Sequence, residues 1–213
     1  MEILKIIDKL KSKRKVFYSE SDFQFALAWE IQKYYEKADV KVRLEYPNSQ
    51  GNDFSNPQKM EYVDIIVILD NKIYPIELKY KTKSLTVVDN DETYCLKNQG
   101  AQNFGRYEYL KDIQRIEKFL EKKDFQCGYA ILLTNAELYW SKNNPDNMDA
   151  QFQIEDGDTK TGTLIWNGET KDKMKKGRSI TLQREYKIKW NEYSNFGINN
   201  GEFRYCINVI KKS

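Results

Sequence analysis

Three ionisable residues interrupt the most apolar stretch of the chain, EYVDIIVILDNKIYPIELKYKTK at positions 61–83. Asp64, Glu77 and Lys79 stand where apolar side chains would pack better. A charge in such a place is costly unless it is paired or bound to a metal. Side chains alternate along a strand, so Glu77 and Lys79 share a face, with Cα atoms roughly 6.6 Å apart. If Asp70-Asn71 makes a two-residue turn, Leu69 pairs with Lys72 and Asp64 lies opposite Glu77. Facing Cβ atoms are then about 4.5–5.5 Å apart. A turn at Asn71-Lys72 would set Asp64 against Lys79 on the same side. Two carboxylates this close repel unless a cation lies between them. Mg²⁺, with Mn²⁺ as a substitute, suits oxygen donors of this kind, so Asp64 and Glu77 are candidate metal ligands. Lys79 beside them could position or help deprotonate a water, or stabilise charge developing on phosphorus. The chemistry this allows is hydrolysis of a phosphodiester by in-line attack.

Composition narrows the alternatives. The chain has 213 residues and no histidine, which excludes Ser-His-Asp and Cys-His nucleophilic sites and histidine zinc sites. Cys95, Cys127 and Cys206 are far apart and form no CxxC pair, so a reducing, cytoplasmic setting is expected. The opening MEILKIIDKLKSKRK lacks the apolar run of a signal peptide, and no stretch is apolar enough for a membrane span. A net charge of +3 is too small to advertise nucleic acid, so phosphate contacts must come from local patches. The densest is KDKMKKGR, offering Lys171, Lys173, Lys175, Lys176 and Arg178 as phosphate contacts or as a solvated loop.

The surrounding elements follow from periodicity. Residues 1–13 read as a short amphipathic helix. Ser19 is placed to cap a second helix, with Asp22 three positions on, running to about Lys37. Its apolar stripe of Phe23, Ala26, Leu27, Ile31 and Tyr34 carries one carboxylate, Glu30. Strands are expected at Val40–Tyr46, Tyr62–Leu69, Ile73–Tyr80 and Gly128–Thr134, with a loop at Pro47–Lys59. A polar connection follows Tyr80, and Gln102–Lys122 reads as a long helix. Thr163–Trp166, Ser179–Trp190 and Phe203–Ile210 are further strands. The order implies an α/β fold with a mixed central sheet flanked by helices. Residues 1–141 form its core, and 142–213 are a polar loop and β-rich C-terminal extension of the same domain. Pro75 removes a ladder hydrogen bond and hints at a bulge or an edge.

Asp64 followed on the next strand by Ile76-Glu77-Leu78-Lys79, after a leading helix and before another helix and strand, resembles the PD-(D/E)XK nuclease superfamily. The resemblance spans about residues 18–140 and implies a restriction-endonuclease-like fold. It also implies Mg²⁺-dependent cleavage of nucleic acid, DNA foremost, in defence by restriction or in DNA processing. Members of that family often complete the site with an acid on the first helix. Glu20 in SESDFQ fits that placement, with Glu30 in reserve and Gln24 a further candidate. Gln102 and Tyr107 in GAQNFGRY resemble a Gln and Tyr that some members use. Val63 replaces the proline that often precedes the acid. Double-strand cutting of the restriction type would favour a homodimer, although no dimer signal is legible.

Simpler readings stand beside these. Other acid-x-Lys triplets occur, mostly in turns and polar loops, Glu185-Tyr186-Lys187 being one in a strand. Glu20 serves equally as a helix N-terminal acid stabilised by the macrodipole. For Glu30 the simpler reading is a pairing with a nearby Lys or Arg. An inactive nucleic-acid-binding module, or a protein-interaction domain docking through 142–178, would keep the same fold.

Overall fold

The computed structural model describes residues 1–48, 61–121, 125–142, 144–168 and 177–212. Most of the expected loop after Pro47, and Lys171, Lys173, Lys175 and Lys176, lie outside them. Two helices lead, α1 at Ile3–Lys13 and α2 at Glu20–Tyr34. Strands β1 at Val40–Asn48, β2 at Glu61–Leu69 and β3 at Lys72–Lys81 follow, then a hairpin of β4 at Leu85–Asp89 and β5 at Glu92–Leu96. Helix α3 at Gln102–Leu120 leads to β6 at Cys127–Thr134. The chain ends with β7 at Thr159–Ile165, β8 at Ser179–Lys187, β9 at Trp190–Asn195 and β10 at Glu202–Lys211.

Six strands make a mixed sheet in the order β1-β2-β3-β6-β10-β9. Only β3 and β6 run parallel in it; the other neighbours are antiparallel. Helices α1 and α2 bury Ile6, Leu27 and Ile31 against Ile65, Val67, Ile76 and Leu78 on one face. Helix α3 buries Leu110, Ile113 and Ile116 against Ile66, Ala130 and Leu132 on the other. The hairpin β7-β8 packs outside α3, where Gln114 Nε2 donates to Thr181 O at 3.0 Å and Tyr186 Oη donates to Glu117 Oε1 at 2.7 Å. Among the described residues no helix is long and apolar enough to cross a membrane.

The β2-β3 turn is the tight reversal that the residues call for. Asp70 and Asn71 take left-handed φ values of 49° and 61°, and Leu69 pairs with Lys72. Asp and Asn tolerate that backbone region better than most residues, which suits a two-residue hairpin. The polar connection after β3 contains a second hairpin of the same kind, turning at Asn90 and Asp91. The expected long strand at Ser179–Trp190 is divided. Ile188 N–H donates to Asp158 O at 2.8 Å and Trp190 N–H to Asp156 Oδ1 at 2.8 Å, steering the chain from β8 into the central sheet. Helix α2 ends at Tyr34, short of Lys37.

Pro75 lies on neither an edge nor a bulged stretch of β3. It pairs with Ile66 in unbroken register with β2. The irregularity falls on the other neighbour: Ile73 bridges Phe125 while Ile76 pairs with Tyr129, three steps on β3 against four beside it. The missing N–H is thereby absorbed by the strand that would have accepted it. Gly128 fills the tight spot. A Cβ there would lie 2.3 Å from Ile116 Cγ2 and 3.1 Å from Pro75 O. Gly128→Ala should therefore push α3 from the sheet and cost about 2 kcal/mol, as overpacked cores do. Denaturant unfolding would read this; an unchanged midpoint would show that Ile116 gives way freely.

Candidate active site

Strands β2 and β3 separate after the pair Ile65–Ile76. In an antiparallel ladder the next hydrogen-bonded pairs would be Val63 with Leu78 and Glu61 with Tyr80. Val63 instead stays with Tyr46 of β1. The separation strands the Leu78 and Tyr80 N–H groups, and buried N–H groups must find acceptors. Two carboxylates supply them. Leu78 N–H donates to Asp64 Oδ2 at 2.6 Å, and Tyr80 N–H donates to Glu20 Oε2 at 2.7 Å.

Glu20 reaches the fork because the start of α2 is locked down. Ser19 Oγ accepts the Asp22 N–H at 3.1 Å, the expected cap. Arg14 grips both Asp22 oxygens, at 2.8 and 2.7 Å. Tyr80 Oη donates to Phe17 O at 2.9 Å, tying the preceding turn to β3. One helical turn on, Gln24 Nε2 donates to Asp64 O at 2.7 Å and to Glu45 Oε1 at 2.8 Å. Gln24 thus steadies the backbone that carries Asp64.

Glu77 and Lys79 face α3. Glu77 is 1% exposed, and its Oε1 lies 3.1 Å from Arg115 Nη2. Lys79 Nζ lies 2.9 Å from Asp112 Oδ2 and donates to Leu78 O at 3.0 Å. Arg115 Nη1 is 3.5 Å from Asp112 Oδ1, and Nη2 donates to Tyr62 O at 2.6 Å. Four carboxylates, Glu20, Asp64, Glu77 and Asp112, thus gather around two cations, Lys79 and Arg115. The electrostatics follow from burial and that surplus. Burial raises the Asp64 carboxyl, and Glu20 and Glu45 add to it, against the Leu78 N–H and Lys79. Burial, then Asp112, pushes Glu77 well above the usual carboxylate range. Burial lifts Asp112 from 3.8 to about 6 despite Lys79. Burial alone would lower Lys79, but Asp112, Glu20 and Asp64 together raise it, so it stays an ammonium.

Three buried atoms here, Glu77 Oε1, Asp112 Oδ2 and Arg115 Nε, have no hydrogen-bond partner among the described residues. Two of them nonetheless touch a cation, Glu77 Oε1 at 3.1 Å from Arg115 and Asp112 Oδ2 at 2.9 Å from Lys79. The surplus of negative charge suits a divalent cation on Asp64 and Glu77. No set of three or more acidic or cysteine side chains among the described residues forms a metal cage by itself. Mg²⁺ does not require one, since it is commonly held by one or two carboxylates with substrate oxygens and water.

The remaining candidates lie elsewhere. Glu30 is ten residues along α2 from Glu20, about 15 Å at 1.5 Å per residue. It pairs with Lys13 Nζ at 2.5 Å, satisfied by a cation of α1. Tyr107 is packed among Phe104, Phe152 and Trp166, with ring centroids 5.2–5.6 Å away, because α3 turns that side into the apolar core. Gln102 opens α3, again about 15 Å along the helix from Asp112. Arg178 lies just before β8, and its charge acts on Tyr107, lowering the hydroxyl's pKa against burial.

Asp112 and Arg115 were not anticipated. A signal exists for Asp112: it sits between Tyr109 and Ile116 on the Tyr109-Asp112-Ile116-Phe119 stripe, where an apolar residue is expected. The raised Asp112 pKa has a measurable sign. A buried acid whose folded value exceeds its unfolded one takes up its proton on folding, so stability rises as pH falls through about 6 toward 3.8. Wild type should gain stability relative to Asp112→Asn between pH 7 and 5, by calorimetry at each pH. A difference that is flat with pH would contradict that assignment.

Comparison with protein-family models, curated proteins and solved structures found no match for this chain.

Proposed function

We propose that this chain is a Mg²⁺-dependent nuclease that hydrolyses phosphodiester bonds in DNA, on a restriction-endonuclease-like variant of the mixed sheet. The observation that carries the reading is the convergence of Asp64, Glu77 and Lys79 at the β2-β3 fork, in a cluster with more carboxylates than cations. Asp64 and Glu77 would hold the ion. When bound, Mg²⁺ polarises a phosphoryl oxygen and lowers the pKa of a water. Lys79, kept as an ammonium by Asp112, suits charge stabilisation and water positioning better than proton removal. Glu20 spends one oxygen on Tyr80 N–H and can orient water with the other.

On the substrate side the reading rests on sequence alone: the basic run at 171–178 could grip phosphates, although Arg178, its one basic residue among the described residues, acts on Tyr107. Phosphate contacts of this kind grip without reading sequence. A role in defence or DNA processing, and a homodimer for double-strand cutting, rest on analogy of fold.

A second reading is favoured by one specific observation. Each charge at the fork already has a partner inside the chain: Asp64 the Leu78 N–H, Glu20 the Tyr80 N–H, Glu77 Arg115, Lys79 Asp112. A nucleic-acid-binding module that has lost activity would look the same. Cleavage separates the two. Supercoiled plasmid, linear duplex and single strands, each with and without Mg²⁺ or Mn²⁺, should be cut only with the ion. Asp64→Asn, Glu77→Gln and Lys79→Met should each lower the rate at least about 100-fold, the scale of removing one acid–base or electrostatic contributor. Glu185→Gln, in an exposed acid-x-Lys triplet, should leave the rate unchanged. Binding without cutting under every condition would establish the second reading.

A further inference from the structure

We infer that Arg115 is the resident counter-cation of the fork, holding the place on Glu77 that a divalent ion takes when the site is loaded. This rests on the metal-dependent reading above.

The contact between Arg115 and Glu77 is unlike a structural ion pair. Arginine usually meets a carboxylate with two parallel hydrogen bonds. Here Nη2 lies 3.1 Å from Glu77 Oε1, yet that oxygen has no hydrogen bond of acceptable geometry among the described residues. Arg115 Nε has none either. The guanidinium's short hydrogen bond goes to Tyr62 O, at 2.6 Å, and a long one runs from Nη1 to Asp112 Oδ1, at 3.5 Å. Glu77 therefore receives charge from Arg115 but little directed bonding, and such a contact can be exchanged.

Position supports exchange as well. The Arg115 side chain keeps 22% of its surface open while Glu77 keeps 1%, so Arg115 is the solvent-facing member of the pair. Tyr62 is exposed at the rim, and Glu61 adds negative charge on that side. Rotating outward, Arg115 would keep the Tyr62 carbonyl and approach Glu61. Lys79 has no such exit, since Asp112 and Leu78 O hold it inside. One unit of positive charge would leave Glu77 and two would arrive, which suits four carboxylates better than the resting pair of cations does.

The test uses the full chain without nucleic acid. Mn²⁺ binding by calorimetry should be about tenfold tighter for Arg115→Gln than for wild type, the scale of coupling between neighbouring charges. Arg115→Lys, which retains the charge, should stay near wild type. Removing one partner of a buried pair can unfold a protein, so a second measurement uses the wild type alone. On Mg²⁺ titration the Arg115 Nε–Hε NMR resonance should shift and saturate together with binding. Equal or weaker Mn²⁺ binding by folded Arg115→Gln, or an unmoved Arg115 resonance while wild type binds Mg²⁺, would overturn the inference and leave the metal reading standing. If neither wild type nor variant binds either ion, both fall.

Discussion

The structure turns on two backbone N–H groups left without a strand. Where β2 leaves β3, Leu78 and Tyr80 have lost the carbonyls that an unbroken ladder would offer, and Asp64 and Glu20 supply oxygens instead. An orphaned buried N–H costs about 1–3 kcal/mol, so the fork has to be filled by acceptors. That one requirement anchors α2 to the sheet through Glu20, fixes the carboxylate of Asp64 beside β3, and leaves Glu77 and Lys79 to face α3.

Capping does not by itself demand charge. An Asn or Gln oxygen would accept the same N–H groups. What capping leaves unexplained is the surplus: four carboxylates around two cations, three of those acids raised by burial and by one another. Buried ion pairs contribute little net stability once desolvation is counted. A cluster that is costly as architecture is more readily understood as one prepared for a cation and a phosphate. The raised pKa of Lys79 fits the electrostatic part proposed for it.

Much of this was legible in the residues, for physical reasons. Asp70-Asn71 encodes its turn through tolerance of positive φ, and the turn sets the register as far as Ile65–Ile76; beyond it the strands part, and Asp64 and Glu77 do not form the expected ladder pair. Charges inside an apolar strand stand out because burial makes them costly. The β4-β5 hairpin carries the same turn chemistry at Asn90-Asp91 but was hidden by short strands and polar neighbours. Asp112 and Arg115 were missed because a helix brings them to β3 from 33 and 38 residues beyond Lys79 and Glu77, a pairing that local pattern does not encode. The departure of β2 from β3 was likewise invisible: Val63 and Tyr62 suit a continuing strand as well as a diverging one. Glu30 is the case where the simpler reading, a pairing with a nearby Lys or Arg, matches the structure. A carboxylate on an apolar stripe signals a buried charge, but its partner proves to be Lys13.

The most direct measurement is a crystal structure grown with Mn²⁺ in place of Mg²⁺, with the ion located by its anomalous scattering. One strong peak is expected at the fork, about 2 Å from oxygens of both Asp64 and Glu77, as close coordination requires. Full occupancy of an ion elsewhere, with Asp64 and Glu77 uncoordinated, would contradict it.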